Sequence, residues 1–280
     1  MRILRKQLSA GQMFRALLLV VVAYAAYEYF TIPSAGIIAL RESNPIYSAL
    51  MKQRLDEAGG DLKIEYSVVP LEMISPSFIH AVIAVEDGGF YRHTGIDWNA
   101  LENAYKRNER AGKVRFGGST ITMQLAKNLF LSSDRSYLRK IKEAILTFRL
   151  EKQLSKKRIL ELYLNIIELG DGVFGAEAGA HHYFGKAASA LTRDEAVNLA
   201  AIIASPLKHR PFENSKFMSI RKGIIFRKIG GVITDETAAE KAVERLDGSG
   251  PSLPREVQQE TEENSRQQET PDSLDEQPGD

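Results

Sequence analysis

Ala81-Val82-Ile83-Ala84-Val85 is an apolar run that stops abruptly at Glu86-Asp87-Gly88-Gly89. Ser75-Pro76 ahead of it reads as a helix N-cap followed by proline at the first helical position. The segment is therefore expected to be a buried helix that delivers Glu86 and Asp87 at its last turn. The C-terminal end of a helix dipole disfavours negative charge. An acid placed there is expected to hold its proton more tightly than usual, which suits a general base. A solvated helix C-cap would show the same pattern, and this stretch alone does not choose between the two.

The rest of the chain predicts a mainly helical fold. Residues 33–70 read as a connector punctuated by Pro33, Asn44-Pro45, Gly59-Gly60 and Pro70. Beyond it, residues 71–231 read as one mostly helical domain. Asp97 can cap a helix running towards Gly112, and Ser119 or Thr120 can cap the run from Ile121 to Phe130. A long amphipathic segment covers Ser136 to about Leu154, and Ser155 can cap Ile159 to Leu169. Thr192-Arg193-Asp194-Glu195 is a capping box ahead of Ala196 to Ala204, which Ser205-Pro206 stops. The strand pattern is weak, with one short candidate at Lys63 to Val69. Residues 232–280 form an acidic Gln/Glu/Ser/Pro-rich tail with little to bury, and are expected to be disordered.

Charge is unevenly divided. From Asp247 to Asp280 ten acids face only Arg255 and Arg266, a charge of −8 in a chain whose total is +1, so residues 1–246 carry +9. A basic body points to an anionic partner: phosphate, lipid headgroup or nucleic acid. The chain has no cysteine, which excludes disulfides, thiol catalysis and thiolate metal sites. A basic segment over residues 1–13, with Arg2, Arg5 and Lys6, precedes an apolar stretch over residues 14–32. A signal peptide cut near Ala23-Tyr24-Ala25 is one reading. The favoured one is a signal anchor with Glu28 and its flanking tyrosines at the outer interface. Either reading puts residues after about 35 outside the cytoplasm, and export argues against a nucleic-acid partner.

Three further units carry chemistry. Gly117-Gly118-Ser119-Thr120 leads into a helix start, where free backbone N–H groups and a partial positive charge suit a phosphate. Lys127 follows further along, too far from the glycines for a P-loop. An ordinary N-cap beside flexible glycines is the plainer reading. Arg139 and Glu143 stand at i and i+4 on one helix face with Lys140 beside them, a pattern also met in surface ion pairs. Ile159, Leu162, Tyr163 and Ile166 form one apolar stripe, read as a core helix that buttresses the site.

In order and wording these units resemble the family 51 glycosyltransferases, the peptidoglycan transglycosylases. Glu86, Asp87, Phe90, His93 and Gly95 match one family motif. Gly117 to Asn128 match a second except at Met123, where the family has glutamine. Arg139, Lys140 and Glu143 match a third, and Lys156 to Asn165 a fourth. Tyr183-Phe184-Gly185-Lys186 also looks like the family, whereas its last, arginine-rich motif is only loosely echoed by Arg221, Lys222 and Arg227. The resemblance covers about residues 71–210, and no transpeptidase domain is expected after it.

The resemblance implies a lysozyme-like, mainly α fold with a small membrane-facing subdomain, tethered by an N-terminal transmembrane helix to the bacterial inner membrane. It implies polymerisation of lipid II onto a lipid-linked glycan, with Glu86 and Glu143 as the catalytic acids. Asp87, Phe90, His93, Ser119, Thr120, Gln124, Lys127, Asn128, Arg139 and Lys140 are the expected substrate-binding residues. A divalent Mg2+ or Mn2+ ion near Glu143 or Asp87 is allowed, as are other cell-wall synthases as partners. Met123 is expected to alter a polar contact in the cleft. Phe116, Leu129, Phe130 and Leu131, set among Lys106, Arg107, Arg110, Lys113 and Arg115, suit an anionic lipid surface. Two rival readings are a lysozyme-like glycan-cleaving enzyme and a non-catalytic scaffold. The Arg139-Lys140 unit argues against the first, since glycan cleavage releases no diphosphate, and the intact Glu86 and Glu143 argue against the second.

Overall fold

The structure, a computed structural model, describes residues 9–31, 35–113, 117–131 and 136–229. Arg2, Arg5, Lys6, Pro33, Arg115, Phe116 and the acidic tail lie outside the described residues.

The chain opens with α1 (Ala10–Thr31), a 22-residue helix about 33 Å long at 1.5 Å per residue. Its segment Gly11–Phe30 is long and apolar enough to cross a membrane. Two helices follow, α2 (Ala35–Ala39) and α3 (Ala49–Glu57), then the short strand β1 (Glu65–Tyr66). This stretch was expected to be a connector, and the structure corrects that expectation. Ile37, Leu40, Leu50 and Met51 are buried in the main core. The Arg158 guanidinium donates to the carbonyls of Leu40 and Ser43, while Arg54 grips Glu168 with two bonds of 2.6 and 3.0 Å. The polar spacing that reads as a linker in sequence belongs to the outer side of elements that bury only a few apolar residues, while Ile38, Ile46 and Tyr47 stay exposed.

The core is built on α4 (Pro76–Glu86), α6 (Ile121–Phe130), α8 (Lys156–Ile166) and α10 (Arg193–Ile202). Phe78, Ile79, Ile121, Leu125, Leu160, Tyr163 and Leu199 all have at most 1% of their surface exposed. Around these stand α5 (Trp98–Arg110), α7 (Tyr137–Gln153), α9 (Ala176–Phe184) and α11 (Lys216–Ile229). α4 lies against α10 and α11, and α6 lies against α7 and α8.

The expected caps form as side-chain bonds at Asp97, Thr120 and Ser155, Ser136 adds one at the start of α7, and Thr192 with Glu195 closes the capping box. Ser75 departs from expectation. It occupies the cap position of α4 without capping it, and its hydroxyl donates instead to Leu191 O at 3.0 Å.

α8 ends at Ile166, short of the expected Leu169, because the chain turns into a hairpin. β2 (Glu168–Gly170) pairs antiparallel with β3 (Val173–Phe174), and β1 joins β3 in parallel to give the order β1-β3-β2. Gly175 follows at φ +87, where an added Cβ would stand 2.3 Å from Asn165 O. Asn165 in turn donates to Val69 O and accepts from Val69 N–H, both at 2.9 Å, which fastens the end of α8 to the chain leading into α4.

Candidate active site

Glu86 is the last residue of α4, and its side chain is 13% exposed. Two donors hold the carboxylate: Gln124 Nε2 reaches Oε2 at 2.9 Å and Arg221 Nη2 reaches Oε1 at 3.0 Å. Gln124 comes from α6 and Arg221 from α11. Arg221 is a contact of Glu86 that the sequence reading undervalued; its only signal was the loose echo of an arginine-rich motif. A second residue of α11, Lys228, donates to Ala84 O at 2.6 Å and covers a carbonyl of the last turn of α4. Burial pushes the Lys228 ammonium below the usual lysine range; Arg221 adds to the shift and Glu86 opposes it.

Asp87 turns inward. Its carboxylate accepts the Ile121 N–H at 3.0 Å, and His93 Nε2 lies 3.0 and 3.1 Å from its two oxygens. This residue therefore ties the end of α4 to the free N-terminus of α6 and fixes the loop between them. Phe90 was expected to bind substrate, and the structure corrects this. Its ring is fully buried, with Lys156 Nζ 4.4 Å from the centroid, and it serves as the loop's apolar anchor. Thr120 is likewise 3% exposed; its hydroxyl donates to Gly95 O and accepts from Met123 N–H, so it caps α6 and does not line the cleft. Asn128 is 7% exposed, with Oδ1 buried and unpartnered.

On α6 only Gln124 and Lys127 are partly open between Ile121 and Leu129, which sets the cleft face of that helix. Met123 is 6% exposed and lies off that partly open face. Lys127 sits one turn beyond Gln124, among the charges of α7. Burial pushes its ammonium below the usual range, opposed by Glu143 and reinforced by Arg139 and Lys140.

Glu143 is 2% exposed, with both oxygens engaged. Arg139 Nη1 donates to Oε2 at 2.5 Å, and Lys140 Nζ donates to Oε1. Lys140 also reaches the exposed Ser119 hydroxyl at 3.3 Å, and its own side chain is 47% exposed. Glu143 thus aims the two cations and presents no face of its own to a substrate. A divalent ion does not fit beside Glu143, whose carboxylate is already neutralised by Arg139 and Lys140. Asp87, His93 and Asp97 do bring ligand atoms within 4.8 Å of one another. That trio suits a small cation by its donors, though Asp97 already caps α5 and Asp87 already accepts two bonds.

An acid held by Gln124, with a lysine one helical turn further along that helix among other cations, suits an enzyme that moves a group off an anionic carrier. The sequence profile of the transglycosylase family matches residues 53–229. A biosynthetic peptidoglycan transglycosylase of Herminiimonas arsenicoxydans is 45% identical over 190 residues, 67% of this chain and 82% of that protein. Proteins of the same name from Chromobacterium violaceum and Neisseria gonorrhoeae are each 40% identical, over 79% and 77% of this chain and 97% and 92% of their own. The chain belongs to the transglycosylase family, and is a peptidoglycan glycosyltransferase with a lysozyme-like, mainly helical fold.

Proposed function

We propose that this chain polymerises peptidoglycan glycan from lipid II, with Glu86 as the base and Lys127, Arg139 and Lys140 as the cations that receive the leaving diphosphate. The observation that carries this reading is the span of α6. Gln124 orients Glu86, and Lys127, three residues on, stands in the charge cluster of α7. Residues at that spacing are neighbours on one helix face, about 5–6 Å apart at Cβ.

In the proposed step the 4-hydroxyl oxygen of the acceptor sugar attacks the anomeric carbon of the donor. The bond from that carbon to the diphosphate oxygen breaks as the new β-1,4 bond forms, with inversion. The hydroxyl proton passes to the Glu86 carboxylate, and the diphosphate leaves on its lipid with its charge met by the cations. Glu143 holds Arg139 and Lys140 in place for that moment. The Asp87–His93–Asp97 trio is where a Mg2+ or Mn2+ ion would be held, and it would supply further positive charge; no step depends on it.

The same reading places α1 across the inner membrane, with the basic residues ahead of it on the cytoplasmic side and the catalytic domain outside. A second contact with lipid falls on α5. Trp98, Leu101 and Tyr105 are 66%, 43% and 68% exposed at i, i+3 and i+7, with Lys106, Arg107 and Arg110 nearby on the same helix. Of the residues expected to meet lipid from sequence, Leu129 is 8% exposed and packs in the core. Partners among other wall synthases remain part of the proposal.

The test is polymerisation of labelled lipid II by the detergent-solubilised protein beside Glu86→Gln. Wild type is expected to make long glycan, and the variant to be slower by at least about a hundredfold. An active Glu86→Gln enzyme would remove Glu86 as the base. Shortening of purified glycan strands in the same mixture would point to the hydrolase reading.

A further inference from the structure

We infer that Tyr163 is a positioning residue for Glu86, acting through the amide of Gln124; the inference rests on Glu86 being the base. Tyr163 lies on α8 with no surface exposed, and a buried hydroxyl needs a partner. Its partner is Gln124 Oε1, to which it donates at 3.0 Å. The other end of that amide, Nε2, donates to Glu86 Oε2 at 2.9 Å. The three groups form one chain of donors from the core to the base.

The direction of the chain matters. A glutamine amide has nearly the same shape either way round, so packing alone cannot orient it. Turned over, Gln124 would put its carbonyl oxygen against the Glu86 carboxylate. The phenol opposes that arrangement because it holds its own proton. Burial raises the Tyr163 phenol well above its ordinary range, Glu86 and Asp87 add to the shift, and Arg221 opposes it. A phenol that stays protonated donates throughout the working pH range. It takes the carbonyl end of Gln124 and leaves the N–H end for Glu86.

The phenol is also fixed in space. Ile159, Leu162 and Ile166 flank it on α8 with no exposed surface, and Asn165 anchors the same turn to Val69. The chain therefore holds the Glu86 carboxylate by Oε2 in one direction. Among the described residues, the other charged groups around Glu86 are Arg221 and Lys228 from α11, and Asp87, which is itself bound to His93. None of these orients the Gln124 amide.

The full-length chain in detergent, polymerising lipid II over a range of substrate concentrations, tests this. Tyr163→Phe keeps the ring and removes only the donor. With its fold confirmed by circular dichroism, this variant is expected to lose about tenfold in kcat with KM nearly unchanged, a fraction of what the base itself supplies. In a Gln124→Leu background, Tyr163→Phe should lower kcat no further. An undiminished kcat in Tyr163→Phe overturns the inference, as does a loss of the same size in the Gln124→Leu background. If Tyr163→Phe does not fold, Gln124→Leu alone must lower kcat by at least as much, and an undiminished kcat there overturns it equally. Glu86→Gln separates the two levels. An active Glu86→Gln enzyme overturns the base and this inference together, whereas an inactive one beside a fully active Tyr163→Phe overturns only the relay.

Discussion

Lys127 shows how a side chain proposed for the reaction can cost the fold. Burial holds its ammonium below the usual lysine range, and the pull of Glu143 only partly offsets that. A lysine whose folded-state affinity for a proton is below its unfolded value destabilises the fold wherever it is charged. That cost is complete below the folded value and fades as pH rises towards the unfolded one. At neutral pH Lys127→Met is therefore expected to raise Tm while lowering the rate of glycan transfer. Thermal unfolding and a lipid II assay on the same sample check both halves, and a fall in Tm would mean that the attraction of Glu143 outweighs burial. From the residues named in sequence the structure makes two groups: Glu86 is bonded to Gln124, and Lys127 stands among Arg139, Lys140 and Glu143. What the motifs could not say is which members face outward. Phe90, Thr120 and Asp87 stand in the same motifs and turn into the core or into caps, because a motif records joint necessity and not direction.

Among the elements, helix starts were legible because caps are local. Asp97, Thr120, Ser136, Ser155 and Thr192 each sit one residue before a helix and accept a backbone N–H within it. The hairpin of β2 and β3 was not read, although Asp171-Gly172 between two short apolar runs is a known turn signal. The strands are two and three residues long, too short for alternation to show. The small sheet exists because β1 and the hairpin pair across more than a hundred residues. Gly175, directly after this hairpin, carries a prediction. Alanine there would have to adopt φ +87 with its Cβ 2.3 Å from a backbone oxygen of α8. Gly175→Ala is expected to destabilise the fold by more than about 1 kcal/mol. A urea titration measures this, and an unchanged midpoint would mean that α8 can retreat from the hairpin. Because Tyr163 and Asn165 share that end of α8, transfer should weaken together with stability.

For the molecule as a whole, the proposed seat on lipid has two parts, α1 and the open face of α5. Protein lacking residues 1–35 is expected to float with anionic vesicles and to be released by salt, since Lys106, Arg107 and Arg110 provide the attraction. Failure to float would leave α1 as the sole attachment. α1 is also joined to the domain directly: Glu28 pairs with Lys142 at 3.0 Å, and Arg149 lies 4.7 Å from the centroid of the Tyr29 ring. Both partners are on α7, beside a cavity of about 380 Å³ lined by Ile37, Phe130, Leu131 and Leu146. The same helix carries Arg139, Lys140 and Glu143 towards the cleft. On the proposed reading, with α1 in the bilayer, the cations assigned to the diphosphate are set at one fixed height above it. Enzyme and substrate would then meet in a plane and not in a volume, and the encounter rate would follow the number of lipid-linked molecules per unit area. A glycan still joined to its lipid would stay in that plane after each addition, so the growing strand would return to the same catalyst without a search through bulk solvent.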